Sequence, residues 1–334
     1  MRSSAAIISL LNLVVAAPLL VAADDTDRQT VLVVVGNEGT AEYGSVFNRS
    51  AERWQEACQR ANAHFIHIGH VVDESSDREA LRKQLELMTD DSPEPLWLVL
   101  IGHGTFDGKT AKFNLRGPDV SADELEKWLQ PIKRPLAVIN CSASSGPFLG
   151  RLSATNRVIV TATKSGFEQN YTRFGEYFAA AIGDPAADLD KDEQTSLLEA
   201  YLATAAKVAE FYEQAGRLST EHALLDDNGD SKGTPATWFR GVRATQKAKD
   251  GVEPDGRRAG QWCLIRSPFE QTLPAELRAR RDLLELQVAR LRDRKHTMAE
   301  DEYYARLESL LVKLATLYET VAEQPASPNE PKDE

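Results

Sequence analysis

From Thr30 to Thr163 short apolar runs alternate with longer amphipathic ones. Thr30–Gly36 (TVLVVVG), His64–Gly69 (HFIHIG), Leu96–Gly102 (LWLVLIG), Pro135–Asn140 (PLAVIN) and Arg157–Thr163 (RVIVTAT) read as strands. The near-continuous aliphatic runs among them suit strands covered on both faces. Between them, Ser45–Asn62 sets Phe47, Trp54, Cys58 and Ala61 at helical spacing, and Asp77–Met88 carries Leu81, Leu85 and Met88 on one stripe. Ser121–Leu129 opens with a Ser-x-x-Glu capping box made by Ser121 and Glu124. This βαβαβ rhythm predicts an α/β fold with a parallel-dominated sheet flanked by helices.

Beyond Thr163 the strand signal fades. Phe174–Ile182 and Leu197–Ala215 predict helices, Asp226–Thr234 a Gly/Asp-rich loop, and Thr245–Gly260 an irregular charged stretch. Trp262–Ser267 (WCLIRS) predicts one more strand at the sheet edge. From Pro274 one stripe (Leu277, Leu284, Val288, Leu291) is followed by another (Tyr304, Leu307, Leu311, Leu314, Tyr318, Val321). The capping box Thr297-Met298-Ala299-Glu300 separates them, so the pair predicts an antiparallel helical hairpin. Such a hairpin packs on its own domain or self-associates.

At the start of the chain, Arg2 precedes a mostly apolar, uncharged stretch from Ala5 to Ala23. Val21-Ala22-Ala23, followed by Asp24 and Asp25, has the form of a cleavage site. The expectation is a signal peptide at 1–23 and export to the periplasm or the extracellular space, with no stable membrane insertion after cleavage. An uncleaved anchor is the alternative, against which Asn12 and Pro18 weigh. The expected organisation is signal peptide 1–23, α/β domain 24–270, helical hairpin 271–324 and a disordered tail 325–334.

Charge and cysteine usage narrow the function classes. Thirty-nine Lys and Arg against 51 Asp and Glu give a formal net charge of −12, which argues against nucleic acid or anionic lipid as the main partner. Cys58, Cys141 and Cys263 form no CxxC pair, so neither a disulfide framework nor a structural zinc site is expected, and an odd count leaves a thiol over. GxGxxG and GxxxxGK[ST] are both absent from the sequence.

In an open parallel sheet ligands bind beyond the carboxyl ends of the strands. Two groups able to do covalent chemistry fall there. His103 follows one strand in Ile101-Gly102-His103-Gly104, and Cys141 follows another in Asn140-Cys141-Ser142-Ala143-Ser144-Ser145-Gly146. If those strands are neighbours, imidazole and thiol face one cleft. A free thiol has a pKa of about 8.5 and is mostly protonated at neutral pH, so an adjacent imidazole that takes the proton makes it a nucleophile. The amides of Gly104 and Cys141 are candidate oxyanion donors. The contrary reading makes Cys141 an inert core thiol and His103 a loop residue.

The order strand–His-Gly, then strand–Cys with a small-residue turn, resembles the caspase-like fold of clan CD cysteine peptidases. Within that clan the chain is most similar to bacterial legumain-type peptidases, the family that also holds the GPI-transamidase subunit. Thr161-Ala162-Thr163-Lys164-Ser165-Gly166-Phe167, continuing to Phe174-Gly175-Glu176-Tyr177-Phe178, resembles the family's substrate-cleft strand and loop. The similarity runs from Thr30 to Ala215 and leaves out the C-terminal hairpin. It implies His103 as base, Cys141 as nucleophile, the Gly104 and Cys141 amides as oxyanion hole, a peptide or protein substrate, and no cofactor for bond cleavage. The sequence departs from the family's pattern at the turn, where Asn140 replaces an acidic residue and the first glycine is Gly146. Glu168 and Arg173 are the charged candidates for a specificity pocket, the first favouring a basic substrate side chain and the second an acidic one. Two function classes follow: an exported cysteine endopeptidase working through a thioacyl-enzyme, or a non-catalytic binding or scaffold protein acting through its C-terminal hairpin.

A second signal is Asp188, Asp190, Asp192, Ser196 and Glu199, which match the ligand spacing of an EF-hand loop and make a structural calcium site a candidate. The sixth position is Glu193 rather than Gly, and Ser196-x-x-Glu199 is equally a capping box for the helix that follows. Asp226-Asp227-Asn228-Gly229-Asp230 reads as a turn. His64, His67 and His70 are expected on alternating strand faces, with His67 opposed to the other two, which spoils a three-His zinc site.

Overall fold

The computed structural model describes residues 28–70, 76–250 and 253–322. The expected signal peptide and the 325–334 tail lie outside the described residues. Among those residues no helix is long and apolar enough to cross a membrane.

A seven-stranded sheet forms the centre. Its parallel strands are β1 (Thr30–Val35), β2 (His64–Ile68), β3 (Leu96–Ile101), β7 (Leu136–Asn140) and β8 (Arg157–Thr161). Two short antiparallel strands, β9 (Leu224–Asp226) and β10 (Thr234–Pro235), complete it, and the order across the sheet is β10-β9-β8-β7-β3-β1-β2. Alternate side chains enter opposite layers because successive strand residues point to opposite faces. Val31, Val33, Trp97, Val99, Ala137 and Ile139 pack under α1 (Ala41–Ala61), α5 (Phe174–Ala181) and α6 (Leu197–Gln214). Leu32, Val34, Leu98, Leu100 and Val138 pack on the other side against α2 (Asp77–Leu87), α3 (Ala122–Leu129) and α4 (Gly146–Leu152). Both faces are dry, as the aliphatic runs require. The expected α/β class is what the chain forms.

Between β3 and α3 the chain makes a three-stranded antiparallel meander that the sequence pattern did not predict: β4 (Gly104–Phe106), β5 (Ala111–Phe113) and β6 (Val120–Ser121). The predicted capping box at Ser121 is formed, with the Ser121 side chain accepting the Glu124 amide and Glu124 accepting the Ser121 amide. Past β10 a small hairpin of β11 (Phe239–Arg240) and β12 (Arg243–Ala244) leads to α7 (Pro268–Thr272), α8 (Ala275–Asp293) and α9 (Glu300–Ala322).

Three expectations are corrected. Trp262–Ser267 is not an edge strand. It makes a single bridge, Cys263 to Ser196, and lies against the amino ends of the strands, where Gln29 Nε2 donates to the Cys263 and Leu264 carbonyls. His67 and His70 are not opposed. The strand stops at Ile68, Gly69 turns the chain at φ +91°, and the two rings stack at 5.1 Å. A side chain at Gly69 would meet the Val35 carbonyl at 2.0 Å, so only glycine makes that turn. On α9 the buried positions are Tyr303 and Leu317, whereas Tyr304, Leu311 and Tyr318 of the expected stripe are exposed.

α8 is tied to the amino ends of the strands by charge. Glu94, just ahead of β3 and 2% exposed in its side chain, pairs with Arg266 and Arg278. Glu270 on α7 pairs with Arg278 and Arg281. Leu284, Leu286, Val288 and Leu291 bury the apolar face of α8.

Candidate active site

The parallel ladder makes β3 and β7 direct neighbours, with Leu100 opposite Asn140. His103 and Cys141 therefore leave adjacent strands at the same carboxyl edge. The two segments touch: a Cβ on Gly104 would lie 2.1 Å from the Ala143 carbonyl oxygen and 2.8 Å from Ser142 Oγ. Glycine after His103 is what lets that loop press onto the turn after Cys141.

The His103 ring sits among aromatic side chains. Tyr43 and Phe47 of α1 lie edge-on at 4.9 and 5.3 Å, and Tyr171 packs at 6.2 Å. Its Nε2 is 3.3 Å from the Glu38 carbonyl oxygen. A proton held there by the carbonyl leaves Nδ1 as the basic nitrogen.

Cys141 is 4% exposed. Its carbonyl accepts a hydrogen bond from Thr172 Oγ1 at 2.6 Å, and Gly175 on α5 is packed so closely that a Cβ there would lie 2.7 Å from Cys141 Cβ and 3.3 Å from Sγ. Burial, and then the nearby Glu221 carboxylate, push the thiol far above its ordinary pKa. The Cys141 amide does not fit the oxyanion role expected of it, because it donates to the Leu100 carbonyl at 2.9 Å and extends the parallel ladder by one bond.

The turn after Cys141 is fixed by polar contacts. Asn140 Oδ1 accepts from the Ser142 amide at 3.0 Å and from Ser142 Oγ at 2.7 Å. Ser144 adopts φ +55°, the left-handed conformation that glycine takes most easily, at a cost of about 1–3 kcal/mol for another residue. Asn140 Nδ2 and Ser144 Oγ are buried with no partner among the described residues. The Ser144 amide donates to the Glu168 carbonyl at 2.8 Å, and Thr163 bonds both Ser145 Oγ and the Gly146 amide. Phe167 packs edge-on to Phe106 of β4 at 5.2 Å. Residues 164–174 thus form a strap across the turn, held between the meander and α5.

Glu168 and Arg173 belong to this strap, and neither side chain is a free pocket charge. Glu168, 13% exposed in its side chain, accepts the Lys164 amide at 3.0 Å and the His222 amide at 3.2 Å, and its Oε1 lies 2.5 Å from His222 Nδ1. The Arg173 guanidinium lies 3.8 Å over the Phe211 ring. The structure adds Glu221, which no sequence pattern marked. Its carboxylate, 3% exposed, accepts the Arg173 and Phe174 amides at 3.0 Å at the start of α5, and the Tyr212 hydroxyl at 3.2 Å. Burial raises its pKa against those bonds. Adjacent residues Glu221 and His222 therefore grip both ends of the strap.

The aspartate loop is only partly the expected cation site. Carboxylate oxygens of Asp188, Asp190 and Asp192 lie within 4.8 Å of one another. Ser196 and Glu199 are instead a capping box on α6. Glu199 Oε2 accepts the Ser196 amide and hydroxyl, and Oε1 accepts the Leu189 and Asp190 amides. Glu193 takes φ +71°, filling the turn position where glycine is usual. With both Glu199 oxygens committed to amides, the five-residue ligand set does not fit a calcium ion in this arrangement. The loop at Asp226–Asp230 is a turn, as read: Asp226 accepts the Gly229 and Ser231 amides.

All three cysteines are free and buried. No protein-family model matches the chain, and no curated protein matches it. Among solved structures, the Drosophila initiator caspase Dronc is similar with a TM-score of 0.42 at 17% identity, over 63% of this chain and 83% of that one. Caspase-1 from Spodoptera frugiperda is similar with a TM-score of 0.39 at 8% identity, over 60% and 87%. Raptor from Chaetomium thermophilum gives 0.33 at 9% identity, over 48% of this chain and 17% of that one. The chemistry of this edge rests on its own residues.

Proposed function

We propose that the protein is a cysteine endopeptidase whose dyad is His103 and Cys141. The observation that carries this reading is the adjacency of β3 and β7, which brings an imidazole and a thiol to one sheet edge with Gly104 packed on the turn between them. Cys141 Sγ attacks the peptide carbonyl carbon while His103 Nδ1 takes the thiol proton. The Gly104 amide is assigned to the developing oxyanion, where one such donor contributes about 3–4 kcal/mol. Collapse of the tetrahedral species breaks the C–N bond, and His103 returns the proton to the leaving amine. Water, deprotonated by His103, then hydrolyses the thioacyl-enzyme and regenerates the thiol. An amine in place of water would make the same intermediate a transpeptidase. The strap must lift for substrate to reach Sγ, a gating step of the kind common in enzymes with loops over the site.

Digestion of a defined peptide mixture, read by mass spectrometry, tests this. Cleavage that disappears in both Cys141→Ala and His103→Ala is expected. Cleavage indifferent to either substitution, or none by the unaltered chain, overturns it. The second reading, a non-catalytic binding protein using the hairpin, draws on the committed Cys141 amide and on the exposed Tyr304, Leu311 and Val312 of α9. Export is proposed from Arg2, the apolar run and Val21-Ala22-Ala23. A secreted form starting at Asp24 by N-terminal sequencing is the expected result, and a retained form starting at Met1 the contrary one.

A further inference from the structure

With Glu168 and Arg173 both occupied, charge pairing no longer explains selection of substrate, and the shape beside the thiol becomes the discriminating feature. A cavity of about 610 Å³ opens between α6, the 217–223 loop and the residues after β10. That is within the range of about 300–1,000 Å³ usual for ligand sites. Phe174, Leu202, Val208, Tyr212 and Leu218 wall it together with Ala162, which is fully buried. Ala162 is the neighbour of Cys141 on the next strand: Asn140 opposes Thr161, the Ala162 amide donates to the Asn140 carbonyl at 2.9 Å, and both side chains belong to the same core layer. α5 joins the two places, with Gly175 against the sulfur and Phe174 in the cavity wall.

The polar groups at the cavity do not call for a charged ligand. The Glu221 carboxylate is spent on two amides and the Tyr212 hydroxyl. Glu213 and Arg217, both exposed at the mouth, are of opposite sign. α6 offers alanines at 205, 206 and 209, which leave space rather than fill it. Leu218, 92% exposed, extends this apolar wall to the surface.

We infer that this cavity receives a bulky apolar side chain, leucine or aromatic, of the peptide whose neighbouring bond lies at Cys141. The inference rests on the peptidase reading for its substrate, but its test does not depend on turnover. Fluorescein-labelled peptides identical except for one position, Phe, Leu or Ser, are titrated by anisotropy into full-length Cys141→Ala, with and without Ala205→Trp. The Phe and Leu peptides are expected to bind at least about tenfold tighter than the Ser peptide, as burial of such a side chain predicts. Ala205→Trp, by filling the cavity, is expected to erase that ratio. Ala209→Trp on the same helix serves if Ala205→Trp does not fold. Equal affinity for the three peptides, no binding by any, or a ratio that survives the tryptophan overturns the inference. Cleavage by the chain with Cys141 intact reports separately on the peptidase reading, so the two can fail independently.

Discussion

The two edges of the sheet are built by opposite rules. At the amino ends of the strands, charge is buried in pairs. Glu94, Arg266, Arg278, Glu270 and Arg281 interlock, and the cavity among them is only about 110 Å³. At the carboxyl ends, Cys141 is packed in the apolar layer, the Glu221 carboxylate is held by amides rather than by an ion pair, and the neighbouring cavity is apolar and about 610 Å³. Satisfied charge fixes the scaffold and the hairpin. The turn after Cys141 instead holds a left-handed Ser144 and, among the described residues, the partnerless Asn140 Nδ2 and Ser144 Oγ.

The comparison is broken most easily at the amino edge. Glu94→Ala removes a buried carboxylate and leaves the half-buried Arg266 and Arg278 without their shared partner, and is expected to cost about 3–5 kcal/mol in urea unfolding. A loss under about 1 kcal/mol would mean the network is decoration. At the carboxyl edge the strongest test is steric. Gly175→Ala, placing a methyl 2.7 Å from Cys141 Cβ, is expected to cost up to about 3 kcal/mol. Most of that loss should return in the double variant with Cys141→Gly, since the clash is with that Cβ; additive costs would deny the contact.

Alkali sharpens the contrast. Burial pushes the Cys58 thiol up to about 12, and pushes Cys141 and Cys263 well above the ordinary thiol range. An unfolded thiol near 8.5 loses its proton while the folded one keeps it, so stability is full below about pH 8.5 and falls as pH rises beyond it. Chemical denaturation at pH 8 and pH 10 should show Cys58→Ala losing about 2 kcal/mol less than the unaltered chain over that interval. The smallest effect belongs to the aspartate loop. Burial and the neighbouring Glu199, Asp192 and Asp188 carboxylates raise the Asp190 pKa, so its ionised form opposes folding as pH climbs above the usual aspartate range. Asp190→Asn in chelator at neutral pH should raise Tm by about 1–3 °C; a lower Tm would show that the carboxylate is needed where it stands.

How much of this was legible in the sequence follows from which contacts are local. The five parallel strands were readable because TVLVVV, LWLVLI and LAVIN are buried on both faces and carry that requirement in their composition. Ser121 and Ser196 caps were readable because their partners lie three residues away. The placement of His103 and Cys141 at one edge was readable because each follows a strand directly. Glu221 was not: its partners, Arg173 and Phe174, lie 48 and 47 residues away, and Thr220-Glu221-His222 carries no periodic mark. Glu168 and Arg173 were read as free charges for the same reason, since His222 and Phe211 approach them only in the fold. The missing glycine after Cys141 looked like a defect in the turn, yet Ser144 adopts the backbone conformation a glycine would. Trp262–Ser267 has strand composition, but its Cys263 and Leu264 carbonyls are engaged by the Gln29 side chain, 234 and 235 residues away, rather than by a neighbouring strand.

The central claim is that His103 serves Cys141, and Cys58 and Cys263 are internal standards, being buried thiols with no imidazole assigned to them. The most direct measurement is the rate of iodoacetamide labelling at each cysteine from about pH 5 to pH 9, by mass spectrometry, in the unaltered chain and in His103→Ala. The account predicts that Cys141 labels faster than the other two near neutral pH and alone slows, by about tenfold or more, when the imidazole is removed. Three cysteines labelling alike, or a Cys141 rate unchanged by His103→Ala, would contradict it.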